Sequence, residues 1–106
     1  MIHLTAQTPI CLATAPVDFR RGIDGLVALC QHQLQQQPRS GTLFVFINRS
    51  RTMIRLLAYE ENGYWLMTKR LSQGRYRGWP KATEPVTAMQ AKALRQLLWN
   101  VLDSTA

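Results

Sequence analysis

The chain has 106 residues, a formal net charge of +7 and a pI of about 10.3, with 46% hydrophobic and 18% charged residues. This length predicts a single domain, residues 1–106, and the composition excludes wholesale disorder. The longest apolar run, Leu43 to Ile47, is far too short for a membrane span, and the start lacks a signal peptide, so we expect a cytoplasmic protein with no membrane partner.

The first half of the chain predicts a short strand followed by a helix. Ile10 to Ala13 forms the strand, and Pro16 ends regular structure after it. Asp18 is expected at the start of the helix, where its carboxylate can accept amide hydrogen bonds. Gly25 predicts a close approach of the helix to a packing strand. One buried stripe is expected from apolar residues at helical spacing: Ile23, Leu26, Val27, Cys30 and Leu34.

Three consecutive segments predict an antiparallel meander. The continuous run Leu43 to Ile47 is typical of a central strand covered on both faces. Alternating residues after the turn at 48–51 predict a second strand. Asn62-Gly63 predicts a hairpin, and Tyr64 to Lys69 returns as the third strand.

A terminal helix is predicted to begin near Thr87. Together the elements predict an α+β domain: a three-stranded antiparallel meander, extendable to four or five strands, flanked by an N-terminal and a C-terminal helix packed on one face of the sheet. Trp99 lies off the helix's apolar stripe, so we expect it in an interface, unless it packs on the edge of its own domain. The stripe itself contains Leu94, Leu97, Leu98, Val101 and Leu102.

Residues suited to catalysis are few. Asp18 and Asp24 could hold the metal of a nuclease, but helix capping and pairing with Arg20 and Arg21 explain them more simply. Glu60 and Glu61 precede a turn and are expected in solvent.

Histidine and cysteine spacing also fails to predict a metal site. His3 and His32 stand far apart, and Cys11 and Cys30 lack a Cys-x-x-Cys pairing. The two cysteines lie in apolar settings, so reduced core thiols are expected rather than a disulfide. We therefore expect no catalytic residue, no metal and no cofactor.

Basic residues are concentrated in one part of the sequence. Eight of the thirteen lie between Arg49 and Lys81, where Glu60 and Glu61 are the only acids, so this segment carries +6. Such clustering is typical of proteins that bind phosphates, and it makes DNA the expected partner, a solvated basic face being the alternative. Trp79 could stack on a base or, with Pro80, anchor the loop in the core. The predicted nucleic-acid-binding residues are Arg49, Arg51, Arg55, Lys69, Arg70, Arg75, Tyr76, Arg77 and Lys81.

Several motifs resemble one protein family. The stretch from Asp18 to Leu26 is similar to the family signature Asp-x-Arg-Lys-Gly-x-Asp-Gly-Leu. In this chain the family-motif residues are Asp18, Arg20, Arg21, Gly22, Asp24, Gly25, Trp79 and Pro80. Further matches are Leu43-Phe44-Val45-Phe46, Gly63-Tyr64-Trp65-Leu66, Lys69-Arg70-Leu71 and Gly74-Arg75-Tyr76. In this order they resemble the small accessory protein, often called TnpB, of bacterial insertion sequence 66 type elements.

The resemblance implies a role in transposition beside a separate, larger transposase that carries the catalytic carboxylates. We therefore expect a non-catalytic accessory factor that binds nucleic acid through a basic sheet-and-loop surface, with the transposase and a second copy of the chain as candidate protein partners. One alternative is a protein-interaction subunit that docks on the transposase without contacting DNA. A weaker alternative is a metal-dependent nuclease built on Asp18 and Asp24.

Overall fold

The computed structural model describes residues 4–100, which form a five-stranded sheet and two helices. In chain order the elements are β1 (Ile10–Ala13), α1 (Ile23–His32), β2 (Leu43–Ile47), β3 (Met53–Glu60), β4 (Gly63–Arg70), β5 (Val86–Met89) and α2 (Ala91–Leu98). The strand order is β4-β3-β2-β1-β5. No helix in this described range is long and apolar enough to cross a membrane.

The predicted α+β class and the meander are confirmed, but the sheet is mixed rather than purely antiparallel. Strands β2, β3 and β4 pair antiparallel as predicted, and β5 pairs antiparallel with β1. β1 and β2, however, pair in parallel. The reason is that α1 lies between them in the chain and returns the backbone to the end of the sheet from which β1 began.

The two helices cover opposite faces of the sheet, so the prediction that both pack on one face is wrong. Leu43, Val45 and Ile47 of β2 join the cluster that contains residues of α2. Phe44 and Phe46 join the cluster that contains residues of α1. All five residues of β2 are buried because successive side chains point to opposite faces and a helix covers each face.

The starts of both helices differ from the predictions. α1 begins at Ile23, with Gly22 as its N-cap residue, so Asp18 lies in the preceding connection and does not cap the helix. α2 begins at Ala91 rather than near Thr87, because residues 86–89 pair with β1 as an edge strand. Its residues Leu94 and Leu97 are buried as predicted.

Three smaller predictions have mixed outcomes. The β3–β4 hairpin turns at Glu61 and Asn62, one residue before the predicted Asn62-Gly63, and Glu61 has a φ of 58°. A Cβ on Gly25 would lie 3.0 Å from the Cβ of Arg21, so the close neighbour of this glycine is a side chain of its own segment and not a strand. Val101, Leu102 and His3 lie outside the described residues.

The cysteines are free thiols, as predicted. Burial raises the pKa of the Cys30 thiol to about 12, and the neighbouring Cys11 adds to the shift. The pKa of Cys11 is also raised by burial. Both thiols are therefore protonated at neutral pH; Cys30 is an apolar core group, and the partly buried Cys11 packs against the same cluster.

Candidate nucleic-acid interface

Three connections meet at one end of the sheet, where strands β1, β2 and β4 end and strands β3 and β5 begin. These connections are residues 14–22, 48–52 and 71–85, and with the strand-end residue Arg70 we call them the basic end. It carries the exposed or partly exposed cations Arg20, Arg21, Arg49, Arg51, Arg70, Arg75, Arg77 and Lys81. Glu60 and Glu61 lie at the other end of the β3–β4 hairpin. The acids in these connections are Asp18 and Glu84, so cations outnumber them clearly.

Asn48 shapes the turn that carries Arg49 and Arg51. It is a buried polar residue whose Oδ1 accepts hydrogen bonds from the backbone N–H groups of Thr52 at 2.9 Å and Met53 at 3.0 Å. Its Nδ2 donates to the hydroxyls of Ser50 and Thr52, both at 3.1 Å. Because the asparagine satisfies the turn from inside, the two arginine side chains are left on its outer side, with the backbone of Arg51 at a φ of 62°.

The loop after β4 is fixed to this turn. The N–H of Tyr76 donates to the carbonyl of Arg51 at 2.8 Å, and the N–H of Leu71 donates to the carbonyl of Thr52 at 3.0 Å. Tyr76, one of the predicted nucleic-acid-binding residues, is only 2% exposed, so its ring belongs to the core and is not available to a ligand. Burial also raises the pKa of its hydroxyl.

Trp79 anchors the far part of the same loop, which was one of the two predicted roles. It is 7% exposed, and its Nε1 donates to the carbonyl of Thr14 at 3.2 Å. The adjacent Pro80 and Lys81 line a shallow groove together with Arg51. The Trp79-Pro80 motif therefore connects the loop to the end of β1 and leaves Lys81 at the surface.

Two side chains join the C-terminal end of α2 to strand β4 and to the loop of residues 71–85, which we call the basic loop. Lys69 Nζ donates to the carbonyl of Leu98 at 2.8 Å, which caps the negative end of the helix dipole. Asn100, at a φ of 58°, donates from Nδ2 to the carbonyl of Arg75 and accepts at Oδ1 from the N–H of Arg77, both at 2.9 Å. Lys69 was predicted as a nucleic-acid contact, but its ammonium group makes this hydrogen bond within the protein.

Asp18 and Arg20 form an ion pair in the connection before α1. Oδ2 of Asp18 lies 2.7 Å from the Nη2 of Arg20, and Oδ1 accepts from the Arg20 N–H at 2.9 Å. The hydrogen bonds from Arg20, helped by the charge of Arg49, lower the pKa of Asp18 to about 2. This carboxylate is therefore ionised throughout the neutral range, and the predicted local pairing is confirmed for Asp18 with Arg20.

Arg55 fixes this connection to the sheet. Its Nη1 donates to the carbonyls of Phe19 at 2.7 Å and Arg21 at 3.0 Å, and its Nε donates to the Thr68 hydroxyl at 2.9 Å. Its guanidinium also lies 4.7 Å from the centre of the Phe19 ring. Arg55 was predicted as a nucleic-acid contact, but its guanidinium group is used in these contacts within the protein.

A groove of about 510 Å³ separates this connection from the 48–52 turn, with Asp18, Phe19, Arg20, Arg49 and Arg55 among its walls. Asp24 is exposed in the first turn of α1. Among residues 4–100, no group of three or more His, Cys, Asp or Glu side chains is placed to hold a metal ion.

Of the nine predicted contacts, six remain at the surface of the basic end: Arg49, Arg51, Arg70, Arg75, Arg77 and Lys81. Trp99 is 76% exposed, so it does not pack against the edge of its own domain. Sequence reasoning missed Asn48 and Asn100 as organising residues. The available signal was an asparagine directly after an apolar segment, at Ile47-Asn48 and Trp99-Asn100, because asparagine side chains bond to nearby backbone groups where a strand or helix ends.

Comparison with known proteins supports the motif resemblance. The model of the IS66 Orf2 like protein family matches residues 8–103. The chain belongs to this family. Its membership associates the chain with insertion sequence 66 transposable elements, and the predicted resemblance is confirmed.

Two relatives of this IS66 family member come from Sinorhizobium fredii (strain NBRC 101917 / NGR234). Uncharacterized protein y4jC is 42% identical over 76 residues, which cover 72% of this chain and 65% of that protein. Uncharacterized protein y4hO is 35% identical over 89 residues, which cover 84% of this chain and 76% of that protein. The chain thus spans slightly less than two thirds of the first relative. No solved structure matches it significantly.

Proposed function

We propose that this IS66 family member is a non-catalytic accessory factor of transposition that binds DNA through its basic end and assists the separate transposase of the same element. The observation that carries the proposal is that six surface cations, from the end of β4 and from two loops, lie together at one end of the sheet. Arginine and lysine side chains gain binding free energy from DNA by displacing counterions from its phosphates.

The hydrogen bonds that order the basic end support the same proposal. Asn48 holds the turn of Arg49, while Asn100 and Tyr76 hold the loop of Arg75 and Arg77 through backbone hydrogen bonds. Loops that are ordered before binding lose less conformational entropy when the ligand arrives. The separation of these cations from Glu60 and Glu61 also orients the protein towards a polyanion.

A second candidate is docking on the transposase without DNA contact, which the exposure of Trp99 favours. An interface built around an exposed tryptophan depends mainly on apolar burial, so its affinity responds little to salt. Binding through phosphates weakens steeply, with log affinity falling linearly against log salt. Salt dependence therefore separates the two candidates.

The test is duplex binding by fluorescence anisotropy, with a variant in which Arg49, Arg51, Arg75 and Arg77 are all changed to glutamine. We expect weaker binding to element-end and scrambled duplexes alike and a salt slope lower by up to about four ion equivalents. The circular dichroism spectrum should stay native, because these are surface side chains. Unchanged affinity at low salt in a folded variant would rule out the proposal.

A further inference from the structure

The basic end contains aromatic residues, but two of them are unavailable to a ligand. Tyr76 and Trp79 are 2% and 7% exposed, and both belong to the core cluster that packs under α2. Trp99, in contrast, is 76% exposed, the highest value among the large hydrophobic side chains of residues 4–100. An indole left in water at this level is unfavourable, and tryptophan is enriched at binding surfaces.

Trp99 is held next to the basic loop. Its own N–H donates to the carbonyl of Arg95 at 3.0 Å, which keeps it in the last turn of α2. The preceding residue, Leu98, is tied through its carbonyl to Lys69, and the following residue, Asn100, is tied to Arg75 and Arg77. Both chain neighbours of Trp99 are therefore fixed to the basic segment, Leu98 to the Lys69 ammonium group and Asn100 to the backbone of Arg75 and Arg77, whose side chains are exposed.

We infer that Trp99 is a stacking platform for an unpaired base, and that the ligand at this part of the basic end is a single-stranded nucleic acid whose phosphates meet Arg75 and Arg77. The inference rests on the proposed function and specifies that the nucleic acid bound beside Trp99 is single-stranded. Exposed aromatic rings flanked by cations bind single strands, because each base offers a π-face and each phosphate a charge. The bases of an intact duplex are stacked on one another and do not offer that face.

A nucleobase fits these surroundings better than a protein does. The residues on either side of Trp99 are bonded to the Lys69 ammonium group and to the backbone of Arg75 and Arg77, within a segment of net charge +6 that attracts a polyanion more strongly than an average protein surface. Trp65 provides the contrast. It is also exposed, at 46%, but it lies near the Glu60 end of the hairpin and donates its Nε1 to Glu60 at 3.0 Å. Trp65 is therefore a matched control.

The test compares the wild-type protein with Trp99→Ala, Trp99→Phe and Trp65→Ala. Affinity is measured by anisotropy for an oligothymidylate of about 12 nucleotides, an oligouridylate of the same length and a duplex. We expect Trp99→Ala to weaken binding of a single strand roughly 5- to 100-fold and to leave duplex binding within about twofold. Trp99→Phe should retain most of the affinity, and Trp65→Ala should match the wild type. Weaker binding of either oligonucleotide by Trp99→Ala supports the inference.

Three outcomes have distinct meanings. If neither strands nor duplex bind with salt-dependent affinity, the proposed function and the inference both fail. If the duplex binds with a steep salt slope but Trp99→Ala leaves single-strand affinity unchanged, the stacking role is overturned and the proposed function stands. If Trp99→Ala instead converts a dimer into a monomer by light scattering and leaves single-strand affinity unchanged, Trp99 is a protein contact and the inference is again overturned.

Discussion

At the residue scale, the surface of the basic end depends on side chains that carry no charge. Asn48 satisfies the backbone of its own turn, and Asn100 bridges the backbone of Arg75 and Arg77. The sequence marks both asparagines only weakly, because a single asparagine after a strand or helix is common and does not reveal which backbone groups it bonds. The charges themselves were predictable from composition, whereas the groups that position them become visible only with their hydrogen bonds.

Tyr76 gives a residue-scale prediction that separates packing from binding. Its hydroxyl is buried and has no hydrogen-bond partner among the described residues. An unsatisfied buried hydroxyl is unfavourable, so Tyr76→Phe should raise the free energy of unfolding by about 1 kcal/mol, measured by urea denaturation. DNA affinity should not change. A clear loss of stability would mean that the hydroxyl is bonded, and a loss of DNA affinity would return Tyr76 to the binding surface.

At the element scale, the sequence predicted the strands better than the packing. The alternation in β3 and the apolar run of β2 were sufficient to predict the meander, because both patterns are local. The parallel pairing of β1 with β2 was not predicted, since it depends on where α1 returns the chain. The helix predicted from near Thr87 starts later because residues 86–89 form strand β5, whose pairing with β1 bridges more than 70 positions of the sequence and is not encoded in any local pattern.

The contact of Asn100, at the end of α2, with the backbone of Arg75 and Arg77 joins the helix to the loop, and this joint gives the element-scale prediction. Asn100→Gly keeps the left-handed backbone easily accessible but removes both hydrogen bonds to the loop, which should lower the free energy of unfolding by about 1 kcal/mol. Asn100→Ala should cost roughly 1 kcal/mol more, because alanine is strained at a φ of 58°.

Urea denaturation of the two variants measures these differences. Hydrogen exchange at the Arg77 amide, whose N–H donates to Asn100, should accelerate in both. If Asn100→Gly is as stable as the wild type and the Arg77 amide stays protected, the joint does not hold the loop.

At the scale of the whole molecule, charge is separated along the β3–β4 hairpin. Glu60 and Glu61 lie at its tip, and the cations of the basic end lie at the opposite end of the sheet. The net charge of +7 alone predicts only a general attraction to polyanions. Arg39 and Lys92 are also exposed cations, but they lie outside the basic end, so they test whether position or total charge governs binding.

The most direct test of the DNA-binding proposal compares two double variants of equal net charge. One changes Arg75 and Arg77 to glutamine, and the other changes Arg39 and Lys92 to glutamine. Duplex affinity is measured by anisotropy between about 50 and 200 mM salt, where phosphate contacts produce a steep slope. We predict that the first variant lowers the slope by up to about two ion equivalents while the second stays close to the wild type. Equal losses in the two variants, or affinity that does not vary with salt, would contradict the proposal.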